Sequence, residues 1–220
     1  TIAVYNGQRL FKSKGYTQTP WLTWVSQNKM GLVLLSLIGT LCSGIFLLQL
    51  EQIRPVTYLV LGISGIISVL YVLKIRGGNM RQIPHLKIHL ISISWVAVII
   101  AFPIVNESID APLIELGIAH YMYVLAVTIP FDIRDLKYDS SSQKTIPQVF
   151  GIKASKVLSV GLLIAFSFLM IYGVELDLLT NPVFFISVLV QILLVLFMNE
   201  NRSDVYCAGL IDGSIVLLGL

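Results

Sequence analysis

The sequence predicts an all-α bundle of membrane-spanning helices. Of its 220 residues, 56% are hydrophobic and only 12% are charged, about half the charge of a usual soluble domain. The mean hydropathy is +0.85, and apolar stretches long enough to cross a bilayer recur along the chain. These observations indicate an integral membrane protein, and because the chain has no basic run, nothing in it suggests a nucleic acid partner.

Seven apolar stretches follow one another along the chain. They lie at about residues 30–50, 56–73, 88–104, 113–131, 156–173, 182–198 and from 205 onward. Residues 1–5 are also apolar, carry no cleavable-signal pattern and look like the tail of a longer helix. We therefore expect one transmembrane domain over residues 1–220, cut at both ends or at least at the first. A processed N-terminus is the alternative.

The distribution of basic residues orients the bundle. The segments 9–29, 74–87, 132–156 and 199–204 hold fourteen of the fifteen Lys and Arg residues, and the remaining one is Arg54. Basic loops stay on the cytoplasmic side of a membrane, so we expect these four segments on the cytoplasmic face, in a membrane of bacterial type. The polar stretches 6–14, 74–87 and 132–156 are therefore predicted to converge on one face of the bundle.

The segment 130–151 carries the pattern that points most clearly to chemistry. Asp132, Asp135 and Asp139 are three of the chain's twelve acidic residues within eight positions. If the preceding helix continues past Pro130, the three carboxylates fall within about 60° of one face, with Arg134 on the opposite side. They then need a cation from elsewhere, and a hard divalent ion with oxygen ligands would bridge them. A solvated acidic turn at a helix end is the alternative.

This segment resembles a motif of a known family. The run Asp132-x-x-Asp135-x-x-x-Asp139, followed by Lys144, Thr145, Ile146, Pro147 and Gly151, is similar to the second aspartate-rich motif of the UbiA superfamily of intramembrane prenyltransferases. That family has nine spans, and its second motif follows the sixth. Four of the predicted spans precede Asp132 here, so the resemblance implies a UbiA-like bundle that lacks span one, with residues 1–14 at the end of span two.

The resemblance also implies a reaction and a site. A prenyl group would move from a prenyl diphosphate to an aromatic or other lipid-phase acceptor, within a membrane whose lipids surround the bundle. Magnesium would be held by Asp132, Asp135 and Asp139, and substrate contacts would come from four further residues: Asn6, Tyr71, Lys74 and Arg76. For Lys74 and Arg76, ordinary anchoring of cytoplasmic loops is the alternative.

The first motif of the family is different in this chain. The family has an Asn followed at one, four and eight positions by aspartates, whereas Asn6 is followed there by Gly7, Leu10 and Lys14. Three interpretations stay open. The chain is a transferase in which Arg9, Lys12 and Lys14 contact the diphosphate directly, or a relative that binds an isoprenoid without turning it over, or a transporter with an acidic vestibule and a mid-membrane acid at Asp212.

Three histidines are further candidates. His85 and His89 are four residues apart, so on a helix they would share a face and could share a metal ion; interfacial polar residues are the alternative. His120 and Glu115 are five apart, on opposite faces of a helix, which argues against a proton relay between them.

Overall fold

The computed structural model describes residues 10, 20–49, 53–72, 74–75, 78–79, 83–139, 141–174, 179 and 181–218. Within these ranges nearly all of the chain is helical. The regular structure in these ranges that is not helical is a short antiparallel pair of two-residue strands, in which Lys74 pairs with Asn79 and Ile75 with Gly78. Across the described residues, the predicted all-α fold class is confirmed.

The helices follow one another in the order of the predicted apolar stretches. Helices α1 and α2 are Pro20–Gln27 and Lys29–Gln49, and α3 is Pro55–Val72. Strands β1, Lys74–Ile75, and β2, Gly78–Asn79, precede α4, Leu86–Val96, which continues through a π-helical turn, Ala97–Ala101, into α5, Phe102–Glu107. Next are α6, Leu113–Asp135, α7, Ile146–Tyr172, and α8, Pro182–Leu196. The last described segment comprises a π-helical turn, Tyr206–Ile211, α9, Asp212–Ser214, and a 3-10 turn, Ile215–Leu218.

Four of these segments are long and apolar enough to cross a membrane. They are Lys29–Gln49, Leu86–Glu107, Leu113–Asp135 and Ile146–Tyr172. Three shorter apolar helices lie at Pro55–Val69, Pro182–Leu196 and Tyr206–Leu218, so each of the seven predicted stretches has a helical counterpart. The four long helices indicate an integral membrane protein. A nine-helix UbiA-like bundle stays a prediction.

Helix α6 lies at the centre of the described bundle. Of the 18 residues that form the most apolar part of α6, 44% are buried, whereas the corresponding fraction in α2 is 6%. It packs against α4, α7 and α8, and the rings of Tyr123, Phe166 and Phe184 connect α6, α7 and α8, with centroids 4.9 and 6.1 Å apart. The polar end of this central helix is therefore held among its neighbours, and Asp132 lies in that last turn.

A proline inside α6 is accommodated by a bond from α7. Pro130 has no N–H, so the carbonyl of Ala126, four residues earlier, lacks its usual helical donor. Ser159 Oγ of α7 donates to Ala126 O at 2.7 Å, and Ser159 is fully buried. Because this hydroxyl satisfies the carbonyl, the helix continues through Pro130 to Asp135, as the sequence reasoning had supposed.

Helix α7 begins earlier than the hydropathy predicted. We expected a polar loop as far as residue 156, but the helix starts at Ile146, because Pro147 suits the first turn and the Gln148 side chain caps the N–H of Thr145, which is one half of a capping box. The Thr145 N–H donates to Gln148 Oε1 at 3.0 Å. Gly151 then interrupts the helix with φ 80° and ψ 166°, a backbone conformation that essentially only glycine adopts.

A buried amide connects three parts of the bundle. Gln191 of α8 is fully buried, and its Nε2 lies 3.0 Å from Tyr123 Oη, 3.3 Å from Ile211 O and 2.5 Å from Ser214 Oγ. These contacts join α6, α8 and the C-terminal segment. Polar side chains of this kind hold helices together where water is excluded.

Candidate functional site

A lysine lies between two of the three aspartates at the end of α6. Lys87 Nζ is 2.6 Å from Asp132 Oδ1 and 3.2 Å from Asp139 Oδ2. The side chains of Lys87, Asp132 and Asp139 are only 11%, 1% and 6% exposed. The sequence required a cation from elsewhere for these carboxylates, and in the structure Lys87 supplies it.

The local structure explains how residues 45 positions apart meet. Lys87 is the second residue of α4, whereas Asp132 is in the last turn of α6. Because the two helices pack together, the start of one lies beside the end of the other. After α6 the N–H groups of Tyr138 and Asp139 both donate to Asp135 O at 2.8 Å, and this turn brings Asp139 to the same ammonium group.

Two of the predicted polar stretches converge at this end of the bundle. Besides the Lys87 contacts, the His85 N–H donates to Gln143 O at 3.3 Å, which joins the start of α4 to the connection between α6 and α7. Gln148 Nε2 donates to Asp139 O at 3.3 Å. Stretches 74–87 and 132–156 therefore meet as predicted, while stretch 6–14, apart from Leu10, lies outside the described residues.

The third aspartate differs from the expectation. Asp135 Oδ1 accepts from Arg134 Nε at 2.8 Å, and Arg134 Nη1 also lies 3.0 Å from Asp204 Oδ1. We had expected all three carboxylates on one helical face and Arg134 opposite them. The long Arg134 side chain instead reaches the carboxylates of Asp135 and Asp204, while Asp132 and Asp139 meet at Lys87. Asp132 and Asp139 form one group, and Asp135 with Asp204 forms another.

Three buried polar atoms at this end lack a hydrogen-bond partner. Among the described residues they are Asp132 Oδ2, Gln143 Oε1 and Thr145 Oγ1, and the three residues are 1%, 7% and 5% exposed. A buried polar group left unpaired costs roughly 1–3 kcal/mol. The Asp132 and Gln143 oxygens can only accept, so the species that would relieve their cost is a hydrogen-bond donor or a cation.

The question of fit to magnesium concerns the carboxylates of Asp132 and Asp139 as a pair. Within the described ranges no three His, Cys, Asp or Glu side chains are grouped closely enough to hold a metal ion. Magnesium, however, is usually bound by one or two carboxylates together with water and substrate phosphates. Asp132 and Asp139 already share one cation, and Asp132 Oδ2 leaves an oxygen open. This pair fits such an ion; its binding, and any part of Asp135 in it, stay predictions.

The predicted substrate contacts are only partly described. Tyr71 is in the last turn of α3 and Lys74 is in β1, and the structure describes their backbone alone. Asn6 and Arg76 lie outside the described residues, as do Arg9, Lys12 and Lys14. Their proposed contacts with a diphosphate stay predictions.

The histidines do not form a shared site in the described structure. His85 precedes α4 and is exposed, whereas His89 Nδ1 is hydrogen-bonded to Tyr121 Oη across the α4 and α6 contact. His120 Nδ1 bonds to Leu116 O in its own helix, and its ring packs edge-on against Phe166. These contacts favour the interpretation of His89 and His120 as polar residues of the helix packing.

Sequence reasoning missed Lys87 and Gln143 as site residues. Charge distribution alone assigns Lys87 only to the basic segment 74–87, together with Lys74, Arg76 and Arg81. The sequence nevertheless held a signal for Lys87. Lys87 directly precedes the apolar stretch 88–104, and the next stretch, 113–131, ends directly before Asp132. Because consecutive spans run in opposite directions, the start of the first stretch and the end of the second lie on the same side of the membrane. For Gln143 the sequence offered no comparable signal.

Comparisons with known proteins found no matching family model, no matching curated protein and no matching solved structure.

Proposed function

We propose that this chain is a UbiA-type intramembrane prenyltransferase, which moves a prenyl group from a prenyl diphosphate to an aromatic or other lipid-phase acceptor. One observation supports the proposal: Asp132 and Asp139, from a pattern similar to the family's second aspartate-rich motif, both contact the ammonium group of Lys87 at the polar end of an apolar bundle. The site would lie on the cytoplasmic side of the membrane.

The chain's own residues suggest how such a substrate would be held. The apolar helices offer surroundings in which a prenyl chain is removed from water. At the polar end, Lys87 would donate to phosphate oxygens, and Asp132 and Asp139 would hold magnesium. Magnesium bound there would neutralise the diphosphate as it leaves.

The chemistry balances without a further reactant. The allylic C–O bond of the prenyl diphosphate breaks, and its electron pair leaves with the diphosphate. A nucleophilic atom of the acceptor forms the new bond to carbon, and its proton passes to water or to the released diphosphate. Cations at the polar end would stabilise the charge that develops on the leaving group, and Lys87 would be one of them.

A second candidate is a relative that binds an isoprenoid lipid without turning it over. It is favoured by a specific observation, namely that Asn6 is followed by Gly7, Leu10 and Lys14 in place of the acids of the first motif. A site with a single carboxylate pair has fewer ligands for the ions that neutralise a diphosphate. Binding without release of pyrophosphate would support this candidate.

The test is binding of a labelled prenyl diphosphate to the purified chain in detergent, with and without magnesium. We expect magnesium-dependent binding that weakens about tenfold or more in Asp132→Asn and in Asp139→Asn, since each variant removes a negative ligand from the pair. The matched control is Asp204→Asn, an acid at the same end whose ion pair is separate and whose side chain is 39% exposed. Unchanged binding in all three variants would remove the pair from the site.

A further inference from the structure

We propose that Lys87 is a resident cation that competes with a divalent metal ion for the position between Asp132 and Asp139. The inference rests on the proposed function of this site and adds a residue that the sequence pattern did not contain. In the absence of metal, Lys87 keeps the carboxylates paired; when a metal ion binds, the ammonium group leaves them and is free to meet the phosphates.

The geometry places the lysine and a metal ion in competition for the same oxygens. Lys87 Nζ contacts one oxygen of each carboxylate, at 2.6 and 3.2 Å. A magnesium ion lies about 2.1 Å from its oxygen ligands, so an ion that used the same two atoms would overlap the ammonium group. Two cations in that space would also repel each other, and one of them has to move.

The surroundings favour an exchange over permanent pairing. Asp132 Oδ2 is buried and has no partner among the described residues, so it offers a first ligand while Lys87 still occupies Oδ1. The lysine side chain has four rotatable bonds and a compact charge. It begins in the first turn of α4, at the polar end of the bundle, so the displaced ammonium stays where a diphosphate would arrive.

The charge balance explains why the site needs a resident cation. Asp132 and Asp139 both lie within 3.2 Å of one nitrogen atom, and their side chains are almost completely buried. Two carboxylates in such a place repel each other strongly when no cation is present. Removing one partner of a buried ion pair is strongly destabilising for the same reason. Lys87 therefore stabilises the carboxylate pair before any metal is bound.

The experiment is a titration of the full chain in detergent with MgCl2 alone, with thermal unfolding as the readout and no prenyl diphosphate present. Wild-type protein should show a small rise of the unfolding temperature with magnesium. Lys87→Met should unfold at a lower temperature in EDTA, recover towards wild type in excess magnesium, and bind magnesium about tenfold or more tightly than wild type does. Lys87→Arg keeps the charge and should respond to magnesium no more than wild type.

The matched control is Lys156→Met, in which the lost ammonium group donates to Leu196 O at 2.7 Å and touches neither aspartate. It should respond to magnesium as wild type does. The proposal is overturned if Lys87→Met binds magnesium no more tightly than wild type. It is equally overturned if that variant cannot be isolated even in excess magnesium, because the ion was expected to replace the ammonium group.

This titration separates the inference from the proposed function. Metal exchange at Lys87 with no binding of prenyl diphosphate would refute the transferase and leave the exchange standing. Magnesium-dependent binding of prenyl diphosphate, with the same magnesium affinity in wild type and Lys87→Met, would refute the exchange and leave the proposed function standing.

Discussion

Replacing Ser159 by alanine should lower the stability of the bundle, and the size of this loss should depend on whether residue 130 is proline. Ser159 Oγ donates to Ala126 O, the carbonyl that Pro130 leaves without a helical N–H donor. In the Ser159→Ala variant this buried carbonyl has lost both donors. In a Pro130→Ala background the helical N–H returns, so the same serine substitution should matter much less.

The size of the effect follows from the burial of the carbonyl. Ser159 and Ala126 are both fully buried, and a buried acceptor left unsatisfied costs about 1–3 kcal/mol. Measured hydrogen bonds between membrane helices average about 0.6 kcal/mol and reach about 1.7 kcal/mol. We therefore expect Ser159→Ala to lower the free energy of unfolding by about 1–2 kcal/mol. In the Pro130→Ala background we expect a loss of a few tenths of a kcal/mol, which leaves a coupling of about 1 kcal/mol.

The assay is a double-mutant cycle measured by unfolding in detergent. Ser92→Ala is the matched control, because Ser92 is also fully buried and donates to Ile88 O, a carbonyl that keeps its helical donor. It should cost less than Ser159→Ala. An equal loss for Ser159→Ala in both backgrounds would show that the serine does not compensate for the proline, and the reasoning would fail.

Two further predictions concern the polar end of the bundle. Gly151→Ala should lower the free energy of unfolding by about 1–3 kcal/mol, because alanine is strained in the backbone conformation at φ 80°. The control is Gly161→Ala, where an added Cβ meets nothing within 4 Å of the described structure, and this variant should be neutral or slightly stabilising. Equal effects at the two glycines would contradict this. Arg134→Gln should destabilise by about 1–3 kcal/mol, because Asp135 and Asp204 both lose their partner. Asp204→Asn should cost less than about 1 kcal/mol, as its side chain is 39% exposed, and the reverse order would refute the assignment.

The sequence was sufficient for the spans because hydropathy is a local property. The predicted stretch 113–131 corresponds to α6, and its continuation past Pro130 was the condition on which the shared face of the aspartates depended. The start of α7 was missed by ten residues, since Lys153 and Lys156 made segment 146–156 look like a loop. There Pro147 in the first turn and the bond from the Thr145 N–H to Gln148 overrode the polar composition.

The site was only half predictable because its decisive contact is not local. Asp132 and Asp139 were identified from their pattern, but the partner that joins them, Lys87, is 45 and 52 residues away along the chain. A helical wheel cannot show such a contact. The helical wheel also placed Arg134 opposite the aspartates. A wheel shows the direction in which a side chain leaves the helix, but it does not show that a long side chain can bend back to its neighbour, as Arg134 does to Asp135.

The measurement that tests the central claim most directly is turnover of a labelled prenyl diphosphate by the purified chain, with magnesium and a pool of aromatic and lipid-phase acceptors. A transferase should release pyrophosphate and carry the prenyl label into a lipid-phase product, and Asp132→Asn should abolish both. Tight binding with neither pyrophosphate nor labelled product would contradict the transferase and identify a relative that binds isoprenoids without reaction.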